Sequence, residues 1–443
     1  MERTDQSRPK TPTFRDFLAI SLFWLPASLF WGAMLGQMLP DRVIHFSGEA
    51  SKGTYIAIIG GLGAIASTVV QLLIGAMSDA CGSRWGRRRP FIFWGTVCAI
   101  PSLFLFAYSG SFGMLVIAFL LIQFWINVAN GPYQALIPDH VPREYHGRAA
   151  MFMGVAQLIG QAGGPVGSAI LLGMAKSEHA PFSQTTAMLI VMGAVSVLLL
   201  IGMLVTLTAV PDSPAPADVR RPMRAVIASS FHLPANLGGF LKAEISAHPD
   251  FYWLLASRSF ANLAFYTILT FLPFYVRDSL GLGDKNYNLP LGILQLLATT
   301  GALVGTIPAG LASDRMSKVT LVQICCAIVA VAAAVLTFMT RMDFIRVLAV
   351  VFGIGWGAFA AVDWALACNL LPSGGSARYM AVWHICMTVP QVVAPMIYGR
   401  IGDAIEAGFG HGNGWRVAIL TGMVYVIIGA LLIRKVRERP ANA

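Results

Sequence analysis

The 443-residue chain is 56% hydrophobic and only 12% charged, about half the charge of an ordinary soluble domain, so a surface built mainly for water is excluded. Its formal net charge of +10 lies in short basic clusters between apolar runs. That distribution excludes a nucleic-acid-binding patch and fits the topology signals of a protein embedded in a lipid bilayer.

A polar, basic leader of about 15 residues runs straight into an apolar segment without a short apolar region and cleavage site, so the first helix is expected to be retained. A membrane crossing needs about 20 mostly apolar residues. Twelve segments qualify, at about 14–39, 53–77, 90–108, 113–138, 147–173, 184–209, 251–277, 287–312, 319–340, 344–371, 376–401 and 414–434. The eleventh is the least apolar and is assigned by its place in the series.

Between spans two and three the chain reads Gly75-Ala76-Met77-Ser78-Asp79, then Arg84-Trp85-Gly86-Arg87-Arg88-Arg89-Pro90-Phe91-Ile92. Gly75 allows two helices to approach closely. Asp79 can accept charge-assisted bonds from Arg87 or from the N-terminus of a neighbouring helix. A shorter copy, Gly310-Leu311-Ala312-Ser313-Asp314-Arg315, follows span eight. The pattern resembles the loop motif of the major facilitator superfamily. Its longer form is similar to that of the plant sucrose–proton symporters and their relatives, and Arg84 to Arg87 resembles the glycoside–cation symporters of the melibiose permease type. The resemblance implies an all-α membrane protein of twelve transmembrane helices in two pseudo-symmetric six-helix bundles. It also implies that Gly75, Asp79, Arg84, Gly86, Arg87, Arg88, Asp314 and Arg315 form gating latches between the bundles.

In span four, Gln123, Asn127, Asn130 and Gln134 follow steps of four, three and four, so they form one polar stripe with no reason to face lipid. Asn127 and the run Asn130-Gly131-Pro132-Tyr133-Gln134-Ala135-Leu136 are similar to a sucrose-symporter stretch in which an Asp and an Arg, eleven residues apart, serve proton and sugar. Laid on Gly131-Pro132, those two positions are Gln123 and Gln134 here. Both charges give way to amides, which keep hydrogen-bonding capacity for hydroxyls but not a proton site. The melibiose-type cation site uses acids in spans two and four. Span two has none and span four only Asp139 at its end, so a sodium site of that kind is not expected. Span five adds Gln157 and Gln161.

Residues 210–250 are first Pro-rich and then basic, which reads as a linker between an N-terminal bundle (1–209) and a C-terminal one (251–443). Within it, 236–248 suits a short interfacial helix. In span seven, Arg258 is expected to snorkel to the membrane edge, and Asn262 and Tyr266 are polar candidates. The six cysteines, including the adjacent Cys325 and Cys326, form neither a disulfide framework nor a metal site. Span ten carries Asp363 near its middle, followed by Trp364; an ionisable residue at membrane depth marks function, and Asp363 is the candidate proton carrier. In span eleven, His384 lies seven residues from both Arg378 and Gln391, roughly on one face, where His384 contacts sugar or pairs with Asp363. Trp24, Trp31, Trp364 and Trp383 are candidates for an aromatic platform under a sugar ring.

The halves echo one another. Arg148, Gln161 and Pro165 match Arg378, Gln391 and Pro395 at a spacing of 230 residues, as internal repeats of an alternating-access transporter do. With both termini cytoplasmic, 21 of the 31 Lys and Arg fall on the inner side and nine on the outer, which agrees with the positive-inside rule. The leading reading is a multi-pass protein of the bacterial inner membrane, functional as a monomer, whose partners are the bilayer and a small sugar. It carries an α-glucoside such as sucrose or maltose by symport, with the proton as coupling ion and no bound cofactor or metal. Uncoupled sugar facilitation and export of a drug or organic cation are the alternatives. No nucleophile elbow, phosphate loop or metal-ligand pair suggests an enzyme.

Overall fold

In a computed structural model, which describes residues 12–47, 52–175, 181–222, 224–227, 237–282, 288–372, 376–409 and 413–438, each expected span becomes a helix. The first runs Phe14–Val43, with a π-helical turn at Met34–Met38. The next five are Lys52–Asp79, Arg89–Ala107, Phe112–His140, His146–Ala175 and Gln184–Ala209. The second six are Pro249–Ser279, Asn288–Ser313, Lys318–Phe338, Met342–Leu370, Ser376–Phe409 and Asn413–Leu432. The described residues contain no strand, as a lipid-exposed chain that must satisfy its own backbone requires.

Eleven of these helices are long and apolar enough to cross a membrane. The exception is the 34-residue helix Ser376–Phe409. It is packed against spans two, seven and twelve, so protein replaces lipid over much of its surface and fewer apolar side chains are needed. Exposed oxygens finish several helix starts: Ser111, Ser183 and Ser317 accept from the backbone N–H of Met114, Thr186 and Thr320.

Small residues set the packing inside each bundle. Span five lies against span one where a Cβ on Gly160 or Gly164 would run into the backbone between Leu25 and Ala33. Spans eight and ten approach so closely that a Cβ on Gly357 would meet the carbonyl of Ala302. The bundles meet along span two against span eleven, and along span five against spans eight and ten. The hydrogen bonds and ion pairs traced between them gather at the end where Phe14 and Glu438 lie.

The linker is not a free tether at its start. Ser213 C=O accepts from Arg87 N–H, and Ala215 N–H donates to Cys81 C=O at 3.0 Å. Within the stretch expected to be helical, a helix runs Leu237–Ala247.

Candidate functional site

The loop after span two turns at Gly86, whose φ of 107° lies in the left-handed region that suits glycine. Beyond it, the backbone N–H groups of Arg88 and Arg89 donate to the Asp212 carboxylate at 2.8 and 3.0 Å, a linker acid at the positive end of span three. This turn directs the Arg88 side chain inward. Fully buried, it donates to Ser78 Oγ and Asp79 Oδ1, each at 2.7 Å, to Asp139 Oδ2 at 3.0 Å, and to Ser376 Oγ of the other bundle at 2.7 Å. Asp79 also accepts from the backbone N–H of Ala377 and Arg378, at 3.2 and 3.0 Å, in the first turn of span eleven. Gly75 makes this possible, because a Cβ there would lie 2.9 Å from the Ala377 carbonyl.

Asp79 therefore uses a neighbouring helix N-terminus, one of its two expected partners, but its arginine is Arg88. Arg87 pairs with Asp139 instead, at 2.8 Å. Arg84 is exposed at the surface.

The shorter copy builds a matching contact from the opposite bundle. Asp314 accepts from Gly147 N–H at 2.8 Å and from Arg148 Nε at 3.1 Å, at the start of span five. Burial pushes the Asp314 carboxyl above its ordinary range, against the opposing pull of the Gly147 bond and the Arg148 charge. Arg315, expected in this latch, is exposed; Arg148 takes the place because it opens the helix that Asp314 faces. Beside it, His146 Nδ1 and Asn369 Oδ1 lie 2.6 Å apart across the bundles.

One layer above these latches, Asp363 is 1% exposed and ion-paired with Arg258. The Arg258 guanidinium lies 3.4 Å from the ring centre of Trp383, close enough for a cation–π contact. Trp383 meets Trp364 edge-on at 4.4 Å, and Trp364 meets Trp24 of the first bundle at 6.1 Å. Two expectations are corrected here. Arg258 does not snorkel, because it sits about 13 Å up its helix from Pro249 at 1.5 Å per residue, facing a buried carboxylate. Asp363 lies about 10 Å from the helix end at Leu370 by the same rise, midway between that end and the centre of span ten. Its partner is Arg258 rather than His384, which is half-buried.

The span-four stripe is turned inward. Asn127, Asn130 and Gln134 are buried and Gln123 is half-buried. Asn127 Nδ2 donates to Gln123 O at 2.6 Å and lies 3.1 Å from Gln123 Oε1. Asn127 Oδ1 accepts from Gln71 Nε2 at 2.6 Å and Ser67 Oγ at 3.3 Å, both on span two. The carboxamide of Gln134 is buried with no partner at either atom. Asn262 is buried and bonds back to Arg258 O at 3.0 Å. Gln157 is half-buried, while Gln161 and Gln391 are exposed. Two grooves of about 470 and 310 Å³ lie elsewhere, between spans nine and ten and between spans nine and twelve, and contain none of the candidate residues.

A family model described as Major Facilitator Superfamily matches residues 17–395. The chain belongs to that superfamily. Among curated relatives, the sucrose transport protein SUC4 of Arabidopsis thaliana is 27% identical over 186 residues, covering 36% of each chain. The sucrose transport protein SUT1 of Oryza sativa subsp. japonica is 29% identical over 128 residues, covering 23% of this chain and 24% of the relative. The matches thus span about a third or less of those relatives' length. Two solved structures share the fold over almost the whole chain. A bacterial homologue of the iron transporter ferroportin, in an outward-facing state, has a TM-score of 0.70 at 12% identity, covering 97% of this chain and 100% of that one. The proton:xylose symporter XylE bound to 6-bromo-6-deoxy-D-glucose has a TM-score of 0.67 at 14% identity, covering 96% and 97%.

This major facilitator protein is therefore a transporter and not an enzyme, with multiple apolar helices that place it in a membrane. Sequence reasoning missed Asp212 and Gln71, and it named Arg88 in the latch without making it the partner of Asp79. Asp212 stands in a Pro-rich run that reads as flexible, and only its acid beside two prolines hinted at a cap. Gln71 is the single carboxamide in a long, largely apolar helix, a signal of the same kind that singled out Asp363.

Proposed function

We propose that the chain carries a neutral sugar by alternating access, with an α-glucoside disaccharide such as sucrose or maltose as first candidate, coupled to a proton on Asp363. The observation that carries this reading is the buried Arg258–Asp363 pair, set in the layer where span four offers only amides. A carboxylate held by one arginine at membrane depth has two stable conditions. Charged, it pairs with Arg258; protonated, it frees the Arg258 guanidinium, whose charge is then left to the Trp383 ring and to whatever hydroxyls enter the site. Arg258 rests on Trp383, and Trp383 and Trp364 reach Trp24 of the other bundle. A proton arriving on Asp363 therefore loosens the contact that holds the bundles together near the latches. Sugar hydroxyls take the span-four amides, and a sugar's apolar face takes a tryptophan ring.

In this reading residues 1–209 and 251–443 are the moving bundles and 210–250 the linker. The termini face the cytoplasm of a bacterial inner membrane, in line with the distribution of Lys and Arg. Uptake of labelled sucrose and maltose into proteoliposomes, with an imposed pH or sodium gradient, tests the proposal. Accumulation driven by the pH gradient alone is expected. Equilibration without accumulation favours a facilitator, and absence of sugar flux removes the reading.

A further inference from the structure

The amide stripe continues onto span two through Gln71. This residue lies one helical turn from Gly75 and so shares its face, the face that meets span eleven at Ala377. Spans two and eleven run antiparallel. Gln71 therefore stands level with about Ala381, one turn above Ala377, close in height to Trp383 and His384. It is about 12 Å above Asp79 by helical rise, in the same layer as Arg258 and Asp363.

Gln71 is 1% exposed, and its Nε2 is spent on Asn127 Oδ1. Its Oε1 is buried without a partner. Asn130 Oδ1 and both amide atoms of Gln134 are in the same condition. Each buried polar atom left unmet destabilises the fold, and leucine would fill any of these positions without that cost. The acids of this region, Asp79, Asp139 and Asp363, are engaged by Arg88 and Arg258, so among the described residues this corner offers a bound cation no free countercharge. Adjacent sugar hydroxyls suit it better, because each donates one hydrogen bond and accepts another, as a carboxamide does.

We propose that Gln71 is a substrate-binding residue of span two, its free carboxamide oxygen joining Asn130 and Gln134 to receive neighbouring hydroxyls of a neutral polyol. The bond to Asn127 fixes the Gln71 rotamer, so the oxygen is presented in one place. The inference rests on the sugar reading above and adds to it a residue, a helix and a hydroxyl-reading role.

Full-length protein in proteoliposomes decides it through counterflow of sucrose, maltose and their singly deoxygenated derivatives. Gln71→Met keeps the length of the side chain and removes the amide. A KM increase of tenfold or more is expected with kcat within twofold, and the penalty should vanish for the one deoxy derivative that lacks the hydroxyl Gln71 receives. Gln71→Asn, which keeps an amide one methylene shorter, should give an intermediate KM and decides the matter if the Met variant does not fold. Sugar transport with an unchanged KM in the folded variants, or a penalty equal for every derivative, overturns the role of Gln71 and leaves the sugar reading standing. A wild-type protein that carries none of these sugars overturns both.

Discussion

Replacing Asp79 by asparagine separates the two jobs of this residue. Its bond to Arg88 lies within one bundle and survives opening, so its loss weighs on both conformations alike. Its bonds to Ala377 and Arg378 N–H cross to the other bundle and exist only when the latch-bearing end is closed. Asparagine keeps one acceptor oxygen, and loses the charge and one of the two crossing bonds. A hydrogen bond to a charged group contributes about 1.5–3 kcal/mol, and a charge at a helix N-terminus about 0.3–1 kcal/mol. The closed end should thus lose about 2–4 kcal/mol relative to the open one, a population shift of roughly thirtyfold to several hundredfold at 1.4 kcal/mol per tenfold. Spin labels at Trp85 and Arg315, exposed loop residues on opposite bundles, report that equilibrium by pulsed EPR. Wild type should show one short distance, and Asp79→Asn a dominant longer one. Identical distributions would refute the latch.

Three further outcomes follow from the same geometry. Arg258→Met leaves a buried carboxylate without its partner and should lower stability by about 3–5 kcal/mol, whereas Arg258→Met with Asp363→Asn should return close to wild type; denaturation in detergent micelles compares them. Gly75→Val places carbon atoms against the Ala377 carbonyl, so a cysteine at Ser376, in a background without native cysteines, should be alkylated faster than with Gly75 intact. The Asp314 carboxyl is raised by burial above its ordinary 3.8. Its favourable contribution is therefore present below that ordinary value and lost as pH rises through the raised one. Asp314→Asn, neutral at every pH, should match or exceed wild-type thermal stability at pH 7 and lose that advantage on acidification; an equal deficit at all pH values would count against burial as the dominant effect.

The helices were readable because lipid imposes a length and a composition on each crossing, and the ends of the spans fall within a few residues of the apolar runs. Even Ser376–Phe409, too polar to qualify by composition, was found from its place in the series. The latch was readable as a motif, but the choice among Arg87, Arg88 and Arg89 was not, since it depends on a glycine turn and on Asp212 more than 120 positions away. Arg258 was misjudged for a similar reason. Distance from a helix end says how deep a charge lies, but the acid that holds it sits on another helix, 105 residues on. The inward turn of the span-four stripe followed from its spacing, while its link to Gln71 required knowing that spans two and four are neighbours.

In the proposed cycle Asp363 exchanges a proton during each round of sugar movement. Its most direct measurement compares two modes of the Asp363→Asn variant in proteoliposomes: sugar counterflow, which needs no net proton movement, and accumulation under an imposed pH gradient. Counterflow near the wild-type rate with accumulation abolished is the predicted result. Accumulation equal to wild type, with the amide in place of the acid, would contradict the account.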